Sequence, residues 1–275
     1  MKNLYLIFKT DINESLRSKW FLVYSLIFGG IIALFFITGI TESRIQGFSG
    51  LSRLLLIFIE ICIVIIPIFI LINTVRTIAG ERDSNILEYM LSFPISLKEY
   101  FFGKFLGKLF TVTLPIIGAL VLALVWSLFK SVDIPWAIFF YYIGLIIAIN
   151  ICFLGISFLV SSLVKSQDIA LGVAFFVWLL LLALIDLLLI GFLIKTTANP
   201  DLIYAIALSN PLQVFRIGAI ALFDPDLSVI GPASYFILDE FGKNFIALYC
   251  IIYPAILGII FAILGYTIFK RKDLV

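Results

Sequence analysis

The sequence predicts an all-α polytopic membrane protein with six transmembrane helices and both termini on the cytoplasmic side. Three observations carry that expectation: too little charge for water, six apolar stretches long enough to cross a bilayer, and a one-sided distribution of Lys and Arg. The 275 residues are 63% hydrophobic and only 13% charged, with a mean hydropathy of +1.20. A soluble globular chain carries about 25% charged residues. This one cannot cover a water-facing surface, so most of its exterior must meet lipid. A cytosolic enzyme, a secreted disulfide scaffold and a disordered protein are excluded on the same ground, and a net charge of +2 is too small to suggest nucleic-acid binding.

Crossing a hydrocarbon core of about 30 Å takes roughly 20 apolar residues. Six segments reach that length, near 20–40, 52–75, 110–129, 136–163, 169–194 and 245–269. The connections on one side of this arrangement hold 13 of the 19 Lys and Arg, which the positive-inside rule assigns to the cytoplasm together with both termini. Trp20, Trp126 and Trp136 fall at span ends, where an aromatic belt forms; Trp178 lies inside the fifth span. The whole chain, 1–275, reads as a single transmembrane domain.

Taken in order, residues 1–19 place Leu4, Phe8, Ile12 and Leu16 four apart, one apolar stripe on a helix, with Lys2, Lys9, Asp11, Glu14, Arg17 and Lys19 as the polar remainder. This is an interfacial helix lying on the inner leaflet. The first span is too long for a signal-peptide core and lacks a small-residue cleavage site, so it is retained. The second carries Glu60, an acid inside a span. The connection over 76–109 is cytoplasmic and well punctuated. Asn85 with Glu88 three residues on reads as a capping pattern opening a short helix over Ile86–Leu91 that Pro94 ends, and Ser96 with Glu99 reads as a capping box opening the helix into span three. The short helix projects Ile86, Leu87, Met90 and Leu91 as an apolar face that suits a partner's groove.

Spans three and four follow, and span five carries the second intramembrane acid, Asp186. Glu60 and Asp186 each sit about eight residues, roughly 12 Å, from the outer end of their spans, so they share one depth. Such acids are costly unless they face protein or water. They are candidates for a translocation path or a dimer axis, and equally for hydrogen-bonded bundle residues. Asn73, Thr74 and Asn150 read as interhelical hydrogen-bonding groups. The segment 195–244 lies on the outer side, cut by Asn199-Pro200, Asn210-Pro211, Pro225 and Gly231-Pro232. It reads as short helices forming an outer cap, a re-entrant gate or a docking surface, with Asn210, Pro211, Arg216, Asp224, Asp226, Asp239 and Glu240 as candidate contacts for an extracytoplasmic partner. The sixth span closes the chain.

The chemistry that is missing narrows function further. With no histidine there is no HExxH motif and no Ser-His triad, and Ser157 has no base. Gly103 and Gly107, each followed by a lysine, have the wrong spacing for a phosphate-binding loop and lack the following Ser or Thr. Cys62, Cys152 and Cys250 sit in apolar runs as small buried hydrophobes, and the only methionines are Met1 and Met90, so a copper conduit has no soft ligands. No catalytic residue, directly bound cofactor or metal site is expected.

The six-span plan, the amphipathic N-terminal helix and the pattern Glu81-Arg82, Leu87-Glu88, Leu91, Pro94 and Gly103-Lys104 resemble the ABC-2 family of ABC-transporter permeases. Asn85 stands where many members have glycine. The resemblance implies that the segment around Ile86–Leu91 is a coupling helix received by a separate ATPase. Glu81, Arg82, Asp83, Ile86, Leu87, Glu88, Met90, Leu91 and Pro94 would be its coupling residues. Two permease chains would pair with two ATPases, which carry the ATP and Mg, in a bacterial or archaeal cytoplasmic membrane. Within the family, Asn210-Pro211, Phe215-Arg216 and Gly231-Pro232 of the outer segment resemble the NosY permeases of nitrous-oxide reductase maturation. That would imply a NosF-like ATPase and a NosD-like periplasmic protein in copper-site assembly. Two other readings stand beside it: an ion-coupled secondary transporter using Glu60 and Asp186, and an ABC-2 exporter of lipid, polysaccharide or drug.

Overall fold

The computed structural model describes residues 2–37, 51–130, 134, 136–184, 187, 200–221 and 242–272, and every regular element among them is helical. In chain order these are α1 (Lys2–Leu16), α2 (Lys19–Ile37), α3 (Leu51–Thr74), α4 (Arg76–Asp83), α5 (Ile86–Leu91), α6 (Leu97–Phe129), α7 (Trp136–Leu163) and α8 (Gln167–Leu179). A π-helical turn, Leu180–Leu184, extends α8, and α9 (Pro200–Ser209), α10 (Pro211–Ala221) and α11 (Lys243–Lys272) follow. An all-helical chain is what lipid demands, because a backbone without water must satisfy its own N–H and C=O groups.

Among the described residues, four helical stretches are long and apolar enough to cross a membrane: Ile57–Asp83, Leu97–Phe129, Trp136–Leu163 and Asn244–Arg271. A fifth arises when Asn3–Leu16 and Lys19–Phe35, which meet at 68°, are counted together. Gln167–Ala183 is apolar but shorter, and the outer part of the expected fifth span lies outside the described residues.

The central helix is α7. It packs against α3, α6, α8, α10 and most extensively α11. Its contact with α11 is backbone on backbone. A Cβ on Gly155 would lie 2.0 Å from the Gly258 carbonyl oxygen, one on Gly258 would lie 2.3 Å from Ile151 O, and one on Gly265 would lie 3.1 Å from Leu159 Cα. Helices in lipid gain little from the hydrophobic effect and associate through such close packing of small residues. Around this seam the polar residues of the bundle pair off. Thr74 and Ser157 share a hydrogen bond of 2.5 Å, and Asn150 Nδ2 donates to Thr113 Oγ1 at 2.9 Å, roles the sequence suggested for Thr74 and Asn150. All three cysteines are buried and unbridged.

α6 is 33 residues long, about 50 Å at 1.5 Å per residue. A hydrocarbon core of about 30 Å holds only part of it, so its first turns project. They begin at the expected capping box: Ser96 Oγ accepts from Glu99 N at 3.2 Å, and Ser96 N donates to Glu99 Oε2 at 3.2 Å. The backbone and hydroxyl of Ser96 hold the exposed Glu99 carboxyl below its usual value.

α1 lies along this projecting part of α6 rather than on lipid alone, and its polar face differs from expectation at one residue. Asp11, assigned to solvent by its type, is buried at 4% exposure and faces Lys108 at 3.3 Å. The reason is the shape of α6: Gly103 and Gly107 remove two side chains from the facing surface, and α1 settles into the notch with Ile7, Asp11 and the Leu4 carbonyl inward. Leu16, assigned to the apolar stripe, is exposed.

Candidate functional site

The candidate site is α5, a single-turn-and-a-half helix outside the apolar bundle, and the way its neighbours hold it. α3 is interrupted at Val75 and α4 follows at once, so that the two make one helical stretch with a local break. The break frees backbone N–H groups, and no side chain of α4's own N-terminus caps them. Ser161 of α7 does so instead, its hydroxyl accepting from Ile78 N at 3.1 Å and Ala79 N at 2.9 Å. Unpaired, these buried donors would each cost about 1–3 kcal/mol.

Further along α4, the half-buried Glu81 accepts a hydrogen bond from the Tyr100 hydroxyl and pairs with the Lys104 ammonium, both from the projecting turns of α6. Lys104 also lies over the Tyr100 ring, 5.1 Å from its centroid. The next residue, Arg82, donates from Nη1 to the Val164 carbonyl at 2.7 Å, at the end of α7. Glu81 and Arg82 are therefore engaged within the chain, fixing α4 to α6 and α7, while Asp83 is exposed at the helix end.

The chain then reverses through Asn85, which takes φ +58° and forms no side-chain cap bond. The helix Ile86–Leu91 stands where the sequence put it, but Asn85 opens it by backbone conformation and not as a capping oxygen. Left-handed backbone is the preserve of Gly, with Asn the best-tolerated alternative.

On α5 itself, Leu87 is 3% exposed and Met90 packs half-buried on the core, so both point into the chain. The outward face consists of Ile86 at 45%, Tyr89 at 66% and, one turn beyond, Phe93 at 45% exposure. The Tyr89 and Phe93 rings meet edge to face at 5.3 Å. Glu88 and Pro94 are exposed beside them, and Leu91 ends the helix. Tyr89 and Phe93 were not among the residues singled out from sequence. The i, i+3 spacing of Ile86 and Tyr89 is the signal that marks Tyr89, while Phe93 lies past the helix end and is placed by the turn that follows. α5 is thus a short helix buried on one side through Leu87 and Met90 and apolar on its exposed side.

A family model described as ABC-2 family transporter protein matches residues 5–274. The chain belongs to the ABC-2 family. It is the membrane subunit of an ABC transporter, without a nucleotide-binding domain of its own, and its ATPase is another protein. Among its relatives, a probable ABC transporter permease protein NosY of Stutzerimonas stutzeri is 24% identical over 281 residues, covering 99% of both chains. A protein of the same description from Pseudomonas aeruginosa is 25% identical over 231 residues, covering 82% of this chain and 84% of that one.

Away from α5, the permease holds a second ordered polar region where α9 and α10 meet the bundle. Asn210 is buried; its Nδ2 donates to Leu181 O in the π-helical turn at 2.8 Å, and its Oδ1 accepts from Leu212 N at 3.0 Å. Three tyrosine hydroxyls donate to carbonyls of the same pair of helices: Tyr142 to Ala219 at 2.6 Å, Tyr249 to Leu208 at 3.0 Å and Tyr253 to Ser209 at 2.6 Å. Pro211 is buried with Asn210, and the half-buried Arg216 donates to Gln213 at 3.4 Å. Asp224, Asp226, Asp239 and Glu240 lie outside the described residues. So does Asp186, while Glu60 is half-buried in α3.

Proposed function

We propose that this permease works as a homodimer of six-span chains with both termini in the cytoplasm, and that α5 is the helix its ATPase pushes. The single observation that carries the reading is the exposed set Ile86, Tyr89 and, just past the helix end, Phe93, on a short helix whose other side is buried through Leu87 and Met90 and which follows α4, itself held by Glu81, Arg82 and Ser161. Exposed apolar and aromatic side chains beside Asp83 and Glu88 suit an apolar cleft with a basic rim. ATP and Mg reside on the partner; this chain supplies no cofactor site. Family membership favours ATP over an ion gradient as the energy source, so Glu60 and Asp186 serve the path or the dimer axis and not ion coupling.

Similarity to the NosY proteins, over 99% of the chain for one and 82% for the other, supports a place in nitrous-oxide reductase maturation, with a NosF-like ATPase inside and a NosD-like protein in the periplasm. The absence of histidine and of clustered soft ligands favours a machine that passes motion to the outer partner, or moves a species other than free copper. The acids Asp224, Asp226, Asp239 and Glu240 are the side chains offered for that outer contact. An exporter of lipid, polysaccharide or drug is the competing assignment, which export by the reconstituted complex would establish.

The test is co-purification of the chain with the ATPase it recruits. Tyr89→Asp with Phe93→Asp is expected to abolish retention of the ATPase while leaving the permease folded. If deletion of residues 86–91 left both assembly and ATP-dependent function intact, the assignment of α5 would fail.

A further inference from the structure

A second set of charges lies on the projecting turns of α6, one helical turn above the pair that grips Glu81. Lys104 and Lys108 are four residues apart, so they stand about 6 Å apart along one flank of the helix. Lys104 holds Glu81 of α4, and Lys108 faces Asp11 of α1 at 3.3 Å and donates to Ser15 Oγ at 2.9 Å. Lys104 also acts electrostatically on Asp11. The four charges therefore alternate in sign, Glu81, Lys104, Asp11, Lys108, across three helices.

Asp11 is an expensive residue to keep there. It is buried, its Oδ2 atom has no hydrogen-bond partner, and burial pushes its carboxyl above the ordinary value against the pull of Lys108. A buried ion pair contributes little to stability over an apolar pair of equal volume, and its best-attested use is to set register. The register here is tight. A Cβ on Gly107 would lie 2.6 Å from Asp11 Oδ2, and one on Gly103 would lie 2.9 Å from Ile7 Cγ2. Sliding α1 by one residue, about 1.5 Å with a 100° turn, would take Asp11 out of the notch and off Lys108. At its other end α1 reaches the loop after α5, with Asn3 Nδ2 donating to Pro94 O at 3.1 Å.

We propose that Asp11 is a positioning residue for ATP coupling: by pairing with Lys108 over Gly107 it locks α1 to the part of α6 whose Lys104 holds Glu81 of α4, so that α1, α4 and α5 move as one body. The proposal rests on α5 being the helix that receives the ATPase. Load applied at α5 then reaches the start of α2 through α1 as well as the bundle through α6 and α7.

The experiment measures the distance between spin labels at Thr10→Cys and Ser84→Cys, both exposed and on α1 and the end of α4, in the full chain with its ATPase; the native cysteines are buried. The wild-type background is expected to give one narrow distance, the same with and without trapped ATP. Asp11→Ala is expected to broaden it while the ATPase stays bound, and Asp11→Asn, which keeps the volume and an acceptor for Lys108, to leave it narrower than Asp11→Ala does. A distance that stays narrow in Asp11→Ala, or one that shifts on ATP trapping in the wild type, would overturn the proposal. The underlying reading fails by a different result: an ATPase still retained by Tyr89→Asp with Phe93→Asp, in which case the distances in the permease alone still report whether Asp11 holds α1 to α4.

Discussion

Replacing Gly155 by alanine should separate the two helices that form the centre of the bundle. The added Cβ would sit 2.0 Å from Gly258 O, 2.7 Å from its carbonyl carbon and 2.8 Å from its Cα, all backbone atoms that no rotamer change can move. A real Cβ stays beyond about 3 Å, so α7 and α11 must part by at least about 1 Å. A gap of 0.5–1 Å forfeits roughly a quarter to a half of each contact's dispersion energy, and overpacking a tight core costs about 1–3 kcal/mol. The seam extends from Gly144 against Ile251 to Gly265 against Leu159, and packing is the chief force between helices in lipid. The loss should therefore fall at the upper end, about 3 kcal/mol. The assay is unfolding of the purified chain by SDS titration in mixed micelles, beside Gly118→Ala and Gly172→Ala, where an added Cβ meets nothing within 4 Å. Those controls should stay within about 1 kcal/mol of wild type, on the stabilising side by helix propensity. A Gly155→Ala chain that unfolds at the wild-type SDS fraction would refute the backbone-contact reasoning.

Ser161→Ala leaves the amides of Ile78 and Ala79 without their acceptor and should cost about 1–3 kcal/mol, with faster hydrogen exchange confined to α4. Tyr142→Phe removes one donor from the Ala219 carbonyl; loss of about 1 kcal/mol should appear as faster exchange in α10 with α7 and α11 unchanged. Glu99 is held below its usual 4.5 by Ser96, so its capping contribution is present above pH 4.5 and lost as pH falls through the lowered value. Exchange at the start of α6 should rise on acidification in the wild type and lose that dependence in Glu99→Gln. Lys104→Met with Glu81 intact leaves a half-buried carboxylate without its cation, and the expected outcome is reduced thermal stability that Glu81→Gln in the same chain partly restores.

What could be read in the residues themselves was whatever depends on one helix at a time. Hydropathy alone bounded α7 at Trp136 and Leu163, because lipid accepts only backbone that satisfies itself. Ser96 and Glu99 marked the start of α6, and Asn85 and Pro94 bracketed α5, since caps, turns and breaks are local chemistry. The rest was hidden because nearly all-round apolar helices do not say which face meets protein. Leu87 and Tyr89 are neighbours on the same short helix, and only the packing of α4 and α6 turned the first inward and the second out. Glu81, read as a coupling contact, is held inside by Tyr100 and Lys104, residues about twenty positions away. Asp11 looks like an ordinary surface charge until two glycines on another helix make a place for it. The sequence by itself determined a helical membrane protein without a nucleotide-binding domain, and a short helix between two longer ones. Tertiary structure decided which side of that helix is exposed and how its neighbours are held, because a missing Cβ on one helix is felt only by the helix that packs against it.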